Sequence, residues 1–292
     1  MNTRIFVLLL LITAFVTDSV VAARVDTVST TSTSMHEKIK AVVIIPDRYD
    51  TKVTYPVLYL LHGYSGNYAD WITKAPEVKS LADTYDMIIV CPDGGPDSWY
   101  VDSPVKAGSM YETYVGTELP AWIDEHYSTI KNRAGRAITG LSMGGHGALF
   151  IAFRHQDIFG AAGSMSGGVD LRPFPTQWNL DHVLGSYSQN PDRWDKYSVI
   201  NLTYLLTPGS LALTFDCGSQ DFFYQVNKNL HDKLLERNIP HDFTVRPGGH
   251  TWDYWGNSIN YQALFFSGFF NKNKLKLEIP EPLTSDSGNR YR

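Results

Sequence analysis

The feature that most constrains this chain is Gly140-Leu141-Ser142-Met143-Gly144, followed at once by Gly145. It stands between a short β-branched run, Arg136–Thr139, and a segment with helical spacing, Gly145–His155. A serine between glycines at a strand-to-helix turn reads as a nucleophile elbow. Its backbone is strained, and the glycines remove the Cβ atoms that would collide. The turn aims the hydroxyl beyond the sheet edge, beside the positive end of the following helix. Ser142 is therefore the candidate nucleophile, and the chain must supply strands on either side of it.

The rest of the sequence meets that demand. Ile39–Pro46, Pro56–Leu61, Met87–Val90, Ala161–Ser166, Leu211–Asp216 and His241–Arg246 read as strands. Between them, Trp71–Tyr85, Tyr111–Tyr127, Tyr224–Arg237 and Gly256–Asn271 have helical periodicity, with Pro120 expected to bend its segment or begin a helix. Alternation of this kind predicts an α/β fold: a mostly parallel sheet with helices on both faces. Residues 36–272 are expected to form one domain, with 167–207 as an irregular insertion at one sheet edge. Residues 24–34, rich in Ser, Thr and Val, read as a flexible lead, and 273–292 as a polar tail. At 292 residues and 43% apolar composition, a sizeable core can be buried.

The ends and the charge narrow the setting. Arg4, the apolar run Ile5–Val16 and the small residues Val20–Ala23 describe a cleavable signal peptide over residues 1–22, cut after Ala22 or Ala23. The run is too short to span a bilayer, so a secreted protein (periplasmic or extracellular) with no membrane attachment after cleavage is expected. A net charge of −5 with no basic stripe argues against nucleic acid as a partner. Cys91 and Cys217 are the only cysteines and close apolar strand-like runs; two unpaired core thiols are favoured over one bridge.

A serine hydroxyl needs a base, and the base needs an orienting acid. His146 and His155 ride on the elbow helix, His182 falls in the insertion, His231 lies within a helix, and His241 opens a strand. His250 instead follows a strand through Pro247-Gly248-Gly249 and precedes the last helix, where the base should be. The acid belongs after the preceding strand; Asp221 is the candidate there, with Asp216 as its competitor. The oxyanion needs two donors. The backbone N–H of Met143 is one candidate, and that of Tyr64, in the turn His62-Gly63-Tyr64-Ser65-Gly66, is the other. His62 reads as a structural or pocket-wall residue. Trp99, Tyr100, Trp178, Trp194, Trp252 and Trp255 offer flat surfaces, and His62, Trp99, Tyr100 and Trp252 are the candidate substrate contacts.

Taken together, His62-Gly63, the extended elbow from Gly140 to Leu149, Asp216-Cys217-Gly218 with Asp221, and Gly249-His250 resemble the esterase D family over about residues 36–272. That family includes S-formylglutathione hydrolases, feruloyl and acetylxylan esterases of carbohydrate esterase family 1, and the antigen 85 mycolyltransferases. The resemblance implies an α/β-hydrolase fold, a triad at Ser142, Asp221 and His250, and an oxyanion hole at Tyr64 and Met143. It implies a serine carboxylic-ester hydrolase working without a cofactor or metal. With a signal peptide, the expected substrate is an acylated carbohydrate or other small ester, such as feruloylated or acetylated plant cell-wall polysaccharide. The alternatives are an acyltransferase with a sugar or lipid acceptor, and a non-catalytic carbohydrate-binding homologue.

Overall fold

The computed structural model describes residues 23–278, with side chains to Lys274. The expected signal peptide and residues 279–292 lie outside the described residues. Eight strands form one sheet: β1 (Arg24–Ser32), β2 (Glu37–Ile45), β3 (Val57–Leu61), β4 (Ile88–Pro92), β5 (Arg136–Gly140), β6 (Ala161–Met165), β7 (Ala212–Gly218) and β8 (Asp242–Arg246). Their order is β1-β2-β4-β3-β5-β6-β7-β8. The first two joints, β1 with β2 and β2 with β4, are antiparallel; from β4 to β8 every neighbour is parallel. Strands β3 to β6 are buried at every position, as a sheet covered on both faces requires.

The helices are α1 (Asp70–Lys74), α2 (Val78–Tyr85), α3 (Tyr111–Thr113), α4 (Leu119–His126), α5 (Met143–Arg154), α6 (Leu180–Leu184), α7 (Pro191–Tyr197), α8 (Tyr224–Glu236) and α9 (Trp252–Glu278). The single helix expected over Trp71–Tyr85 is two, because Pro76 cannot continue the first. Between α3 and α4 lies one π turn, Tyr114–Glu118, which lets Pro120 enter in the first turn of α4, where its missing N–H costs nothing. One apolar cluster joins α5 and α8 to one face of the sheet; a second joins α1, α2 and α9 to the other. Cys91 and Cys217 belong to different clusters and are free, buried thiols.

Two boundaries differ from expectation. The supposed flexible lead is edge strand β1, so the folded unit begins before residue 36. Its Thr and Val side chains favour extended backbone, and their polarity misleads because Thr30 and Ser32 are buried and paired. Thr30 Oγ1 donates to the Ile39 carbonyl at 3.0 Å, and Ser32 Oγ donates to Glu118 Oε2 at 2.6 Å. At the other end, α9 runs through Glu278, so the first residues of the expected tail are helical.

His146, the fourth residue of α5, is fully buried between two backbone carbonyls. Nδ1 lies 3.0 Å from Trp99 O and Nε2 2.9 Å from Tyr197 O. A neutral ring has one N–H and so satisfies one carbonyl at a time, yet burial outweighs both and pushes its pKa down to about 4. The unfolded chain takes up this proton near the ordinary 6.5. Between those values the unfolded state binds more protons, so His146 stabilises the fold fully above the upper value. That stability is lost as pH falls toward the lower, by up to about 3 kcal/mol. Urea unfolding between about pH 7 and about pH 4.5 should show wild type losing stability faster than His146→Gln; equal slopes would contradict this role.

Candidate active site

Strand β5 delivers Ser142 at φ 56° and ψ −117°, a left-handed backbone that only crowded surroundings can impose on a serine. Its N–H donates to Met165 O at 2.9 Å, and its carbonyl accepts the His146 N–H at 3.0 Å. The glycines on either side are sterically required. A Cβ on Gly144 would lie 2.5 Å from the His62 carbonyl oxygen, and one on Gly140 would lie 2.7 Å from the Gly144 carbonyl. The helix starts at Met143, two residues earlier than its pattern indicates, and so brings a helix N-terminus directly to the serine.

Asp221 follows β7 and His250 follows β8, so both arrive at the same end of the sheet as Ser142. His250 Nε2 is 2.9 Å from Ser142 Oγ, and Nδ1 is 2.8 Å from Asp221 Oδ2. With the ring proton on Nδ1 donating to the carboxylate, the Nε2 lone pair faces the serine hydroxyl. The other carboxylate oxygen, Oδ1, accepts the Phe223 N–H at 2.8 Å, which fixes the Asp221 side chain. The imidazole is enclosed by aromatic rings: Phe222 at 4.2 Å, Trp255 at 4.8 Å and Phe223 at 5.4 Å between centroids. Asp216, the competing acid, serves elsewhere. Its buried carboxylate accepts from Ser258 Oγ at 2.6 Å and Gln262 Nε2 at 2.8 Å, and pairs with Arg246 at 3.1 Å. It thereby ties α9 and β8 to β7 beneath the two loops.

Beside the serine lies the turn after β3; a Cβ on Gly63 would be 3.4 Å from that of Ser142. Among the described residues, neither the Tyr64 N–H nor the Met143 N–H has a protein acceptor. The Tyr64 N–H is aimed through His62. Gly94 N–H donates to His62 Nε2 at 2.8 Å, which places the ring proton on Nδ1, and Nδ1 donates to Gly63 O at 2.8 Å. That carbonyl shares its peptide plane with the Tyr64 N–H, so His62 sets the direction of the donor.

These groups open into a cleft of about 380 Å³. Trp252 lines it, as do Trp178 from the insertion, Phe222 and Trp255. His62, Trp99 and Tyr100 do not reach it, and their reading as substrate contacts is corrected. All three are buried, and Trp99 and Tyr100 turn inward through consecutive left-handed residues, φ 53° and 56°. Trp99 Nε1 donates to Trp178 O at 3.1 Å, and the Tyr100 hydroxyl donates to His62 O at 3.1 Å. They support the cleft from beneath. Phe222 is a cleft residue that no motif singles out, although its place directly after Asp221 carries it to the His250 ring. Asp70 and Lys74 of α1 also line the cleft, and nothing in their sequence context distinguishes them from a solvated helix end.

Comparisons with known proteins agree with this architecture. The Esterase family model matches residues 32–266. An esterase of Mycobacterium tuberculosis is 32% identical over 238 residues, covering 72% of this chain and 52% of that one. The chain thus spans about half the length of that relative. An acetyl esterase of Caldicellulosiruptor saccharolyticus is 29% identical over 215 residues, covering 69% of this chain and 79% of its own. A ferulic acid esterase of known structure superposes with a TM-score of 0.74 at 29% identity, covering 85% of this chain and 99% of that one. On the extent of the family match, this chain belongs to the Esterase family and has its α/β-hydrolase fold.

Proposed function

We propose that the protein is a secreted serine carboxylic-ester hydrolase that removes feruloyl or acetyl groups from plant cell-wall polysaccharide. The observation that carries the chemistry is the chain of contacts from Asp221 through His250 to Ser142. The likeness to a ferulic acid esterase and to an acetyl esterase supports the choice of acyl groups. Secretion is supported by the charged, apolar and small-residue order of residues 1–22. The fold is compatible with cleavage there: Ala23 donates its N–H to Asp83 Oδ2 at 3.0 Å, and β1 follows immediately.

Ser142 Oγ attacks the ester carbonyl while His250 Nε2 takes its proton. Asp221 holds the ring in the right tautomer and stabilises the imidazolium as it forms. The negative charge gathers on the former carbonyl oxygen, facing the N–H groups of Tyr64 and Met143, which have no acceptor to release among the described residues. His250 then gives its proton to the departing alcohol, leaving an acyl group on Ser142. Water, deprotonated by the same nitrogen, attacks in turn and frees the acid.

Phe222, Phe223 and Trp255 pack around the His250 ring and leave its side chain 16% exposed, which limits the access of bulk water. Ser142→Ala should lower kcat on methyl ferulate and on acetylated xylan by about 10⁶-fold with an unchanged unfolding midpoint. Retained turnover would refute the nucleophile. Asp221→Asn should cost about 10⁴-fold in kcat. Asp216→Asn should instead destabilise the protein by about 3 kcal/mol, through loss of the buried carboxylate that Arg246, Ser258 and Gln262 share, while keeping most of its turnover. The reverse pattern, read from kcat and urea midpoints of the two variants, would exchange their roles.

A further inference from the structure

The cleft has two chemically different ends, with His250 between them. On one side Phe222 tilts over the His250 ring and stacks on Trp178, 5.4 Å away at 22°. Phe222 is 52% exposed and lines the cleft. On the other side Trp255 meets His250 edge-on, and Trp252 follows at 5.6 Å. Beyond them the Lys74 ammonium lies 5.2 Å over the Trp252 ring and 2.9 Å from Asp70 Oδ2. One end is therefore apolar and flat. The other presents an ammonium and an indole, with the largely buried Asp70 carboxylate lining the cleft beside them and accepting from Lys74 and Asn67.

We propose that the ester lies across Ser142 with a planar aromatic acyl group against Trp178 and Phe222, and a sugar alcohol at Asp70, Lys74 and Trp252. The proposal rests on the ester-hydrolase reading above. A sugar ring carries hydroxyls that both donate and accept, together with an apolar C–H face. Asp70 supplies acceptor lone pairs, Lys74 supplies donors beyond the one given to Asp70, and Trp252 supplies apolar surface. An alkyl alcohol placed there would strip water from the Lys74–Asp70 pair and return no hydrogen bond, which disfavours it. The apolar end has the opposite preference: a phenolic acyl plane covers the exposed Phe222 face, whereas a sugar would leave its hydroxyls without partners.

The test compares feruloyl arabinose, methyl ferulate and 4-nitrophenyl acetate on the mature chain. Lys74→Ala and Trp252→Ala should lower kcat/KM for feruloyl arabinose relative to methyl ferulate by about ten-fold, mainly through KM. Phe222→Ala should lower both ferulates relative to the aryl acetate by a similar factor. Equal losses on all three esters, or a Phe222→Ala loss confined to the sugar ester, would overturn the two-ended arrangement. So would wild-type hydrolysis of the aryl acetate with neither ferulate cleaved, or with no preference for feruloyl arabinose over methyl ferulate. In those cases the ester-hydrolase reading stands. If wild type hydrolyses no ester at all, that reading falls and takes this proposal with it.

Discussion

Everything at the site depends on the backbone of Ser142 being held where a serine would not go unaided. A left-handed residue of this kind costs on the order of 1–3 kcal/mol, and it persists only because the surroundings leave no alternative. Here β5 is locked in the middle of a parallel sheet, and α5 is buried at every position from Met143 to Phe153. Each large apolar side chain of that helix, such as Leu149, Phe150 or Phe153, contributes about 1.5–3 kcal/mol on burial. Strand and helix are thus fixed independently, and the single residue joining them takes the strain. Gly140 and Gly144 let the two elements approach closely enough for the turn to close.

The remaining groups reach the serine by topology. Strands β5 to β8 run parallel and adjacent, so the loops after β5, β7 and β8 emerge on the same side of the sheet. Asp216 and Arg246, with Ser258 and Gln262 of α9, clamp the strand ends from which the Asp221 and His250 loops depart. His62 does the same for the Tyr64 N–H from the turn after β3. These buried polar residues around the cleft thus act alike, fixing the positions of the proposed catalytic atoms without lining the cleft themselves.

Much of this is legible in the sequence because it is written in local patterns. The elbow, the strand–helix alternation from β2 to α9, and the positions of Asp221 and His250 at the ends of successive strands all follow from residue type and order. What stays hidden depends on long-range packing. The Thr- and Val-rich β1 is polar in composition and becomes a strand only by pairing with β2. Trp99 and Tyr100 look like surface aromatics after a turn, and only the inward left-handed step buries them. His62 stands next to the turn that carries Tyr64, the proposed oxyanion donor, but it acts through contacts with Gly94 and Gly63. Asp70 and Lys74 carry no motif; they become notable because α1 sets them beside Trp252, nearly two hundred residues away.

The most direct test of the central claim is to treat the folded protein with a fluorophosphonate and locate the adduct by peptide mass spectrometry. A nucleophilic Ser142 activated by His250 predicts one stoichiometric phosphonyl adduct on the peptide bearing Ser142, lost in His250→Ala. Absence of labelling in the folded wild-type protein, or an adduct on a different serine, would contradict it.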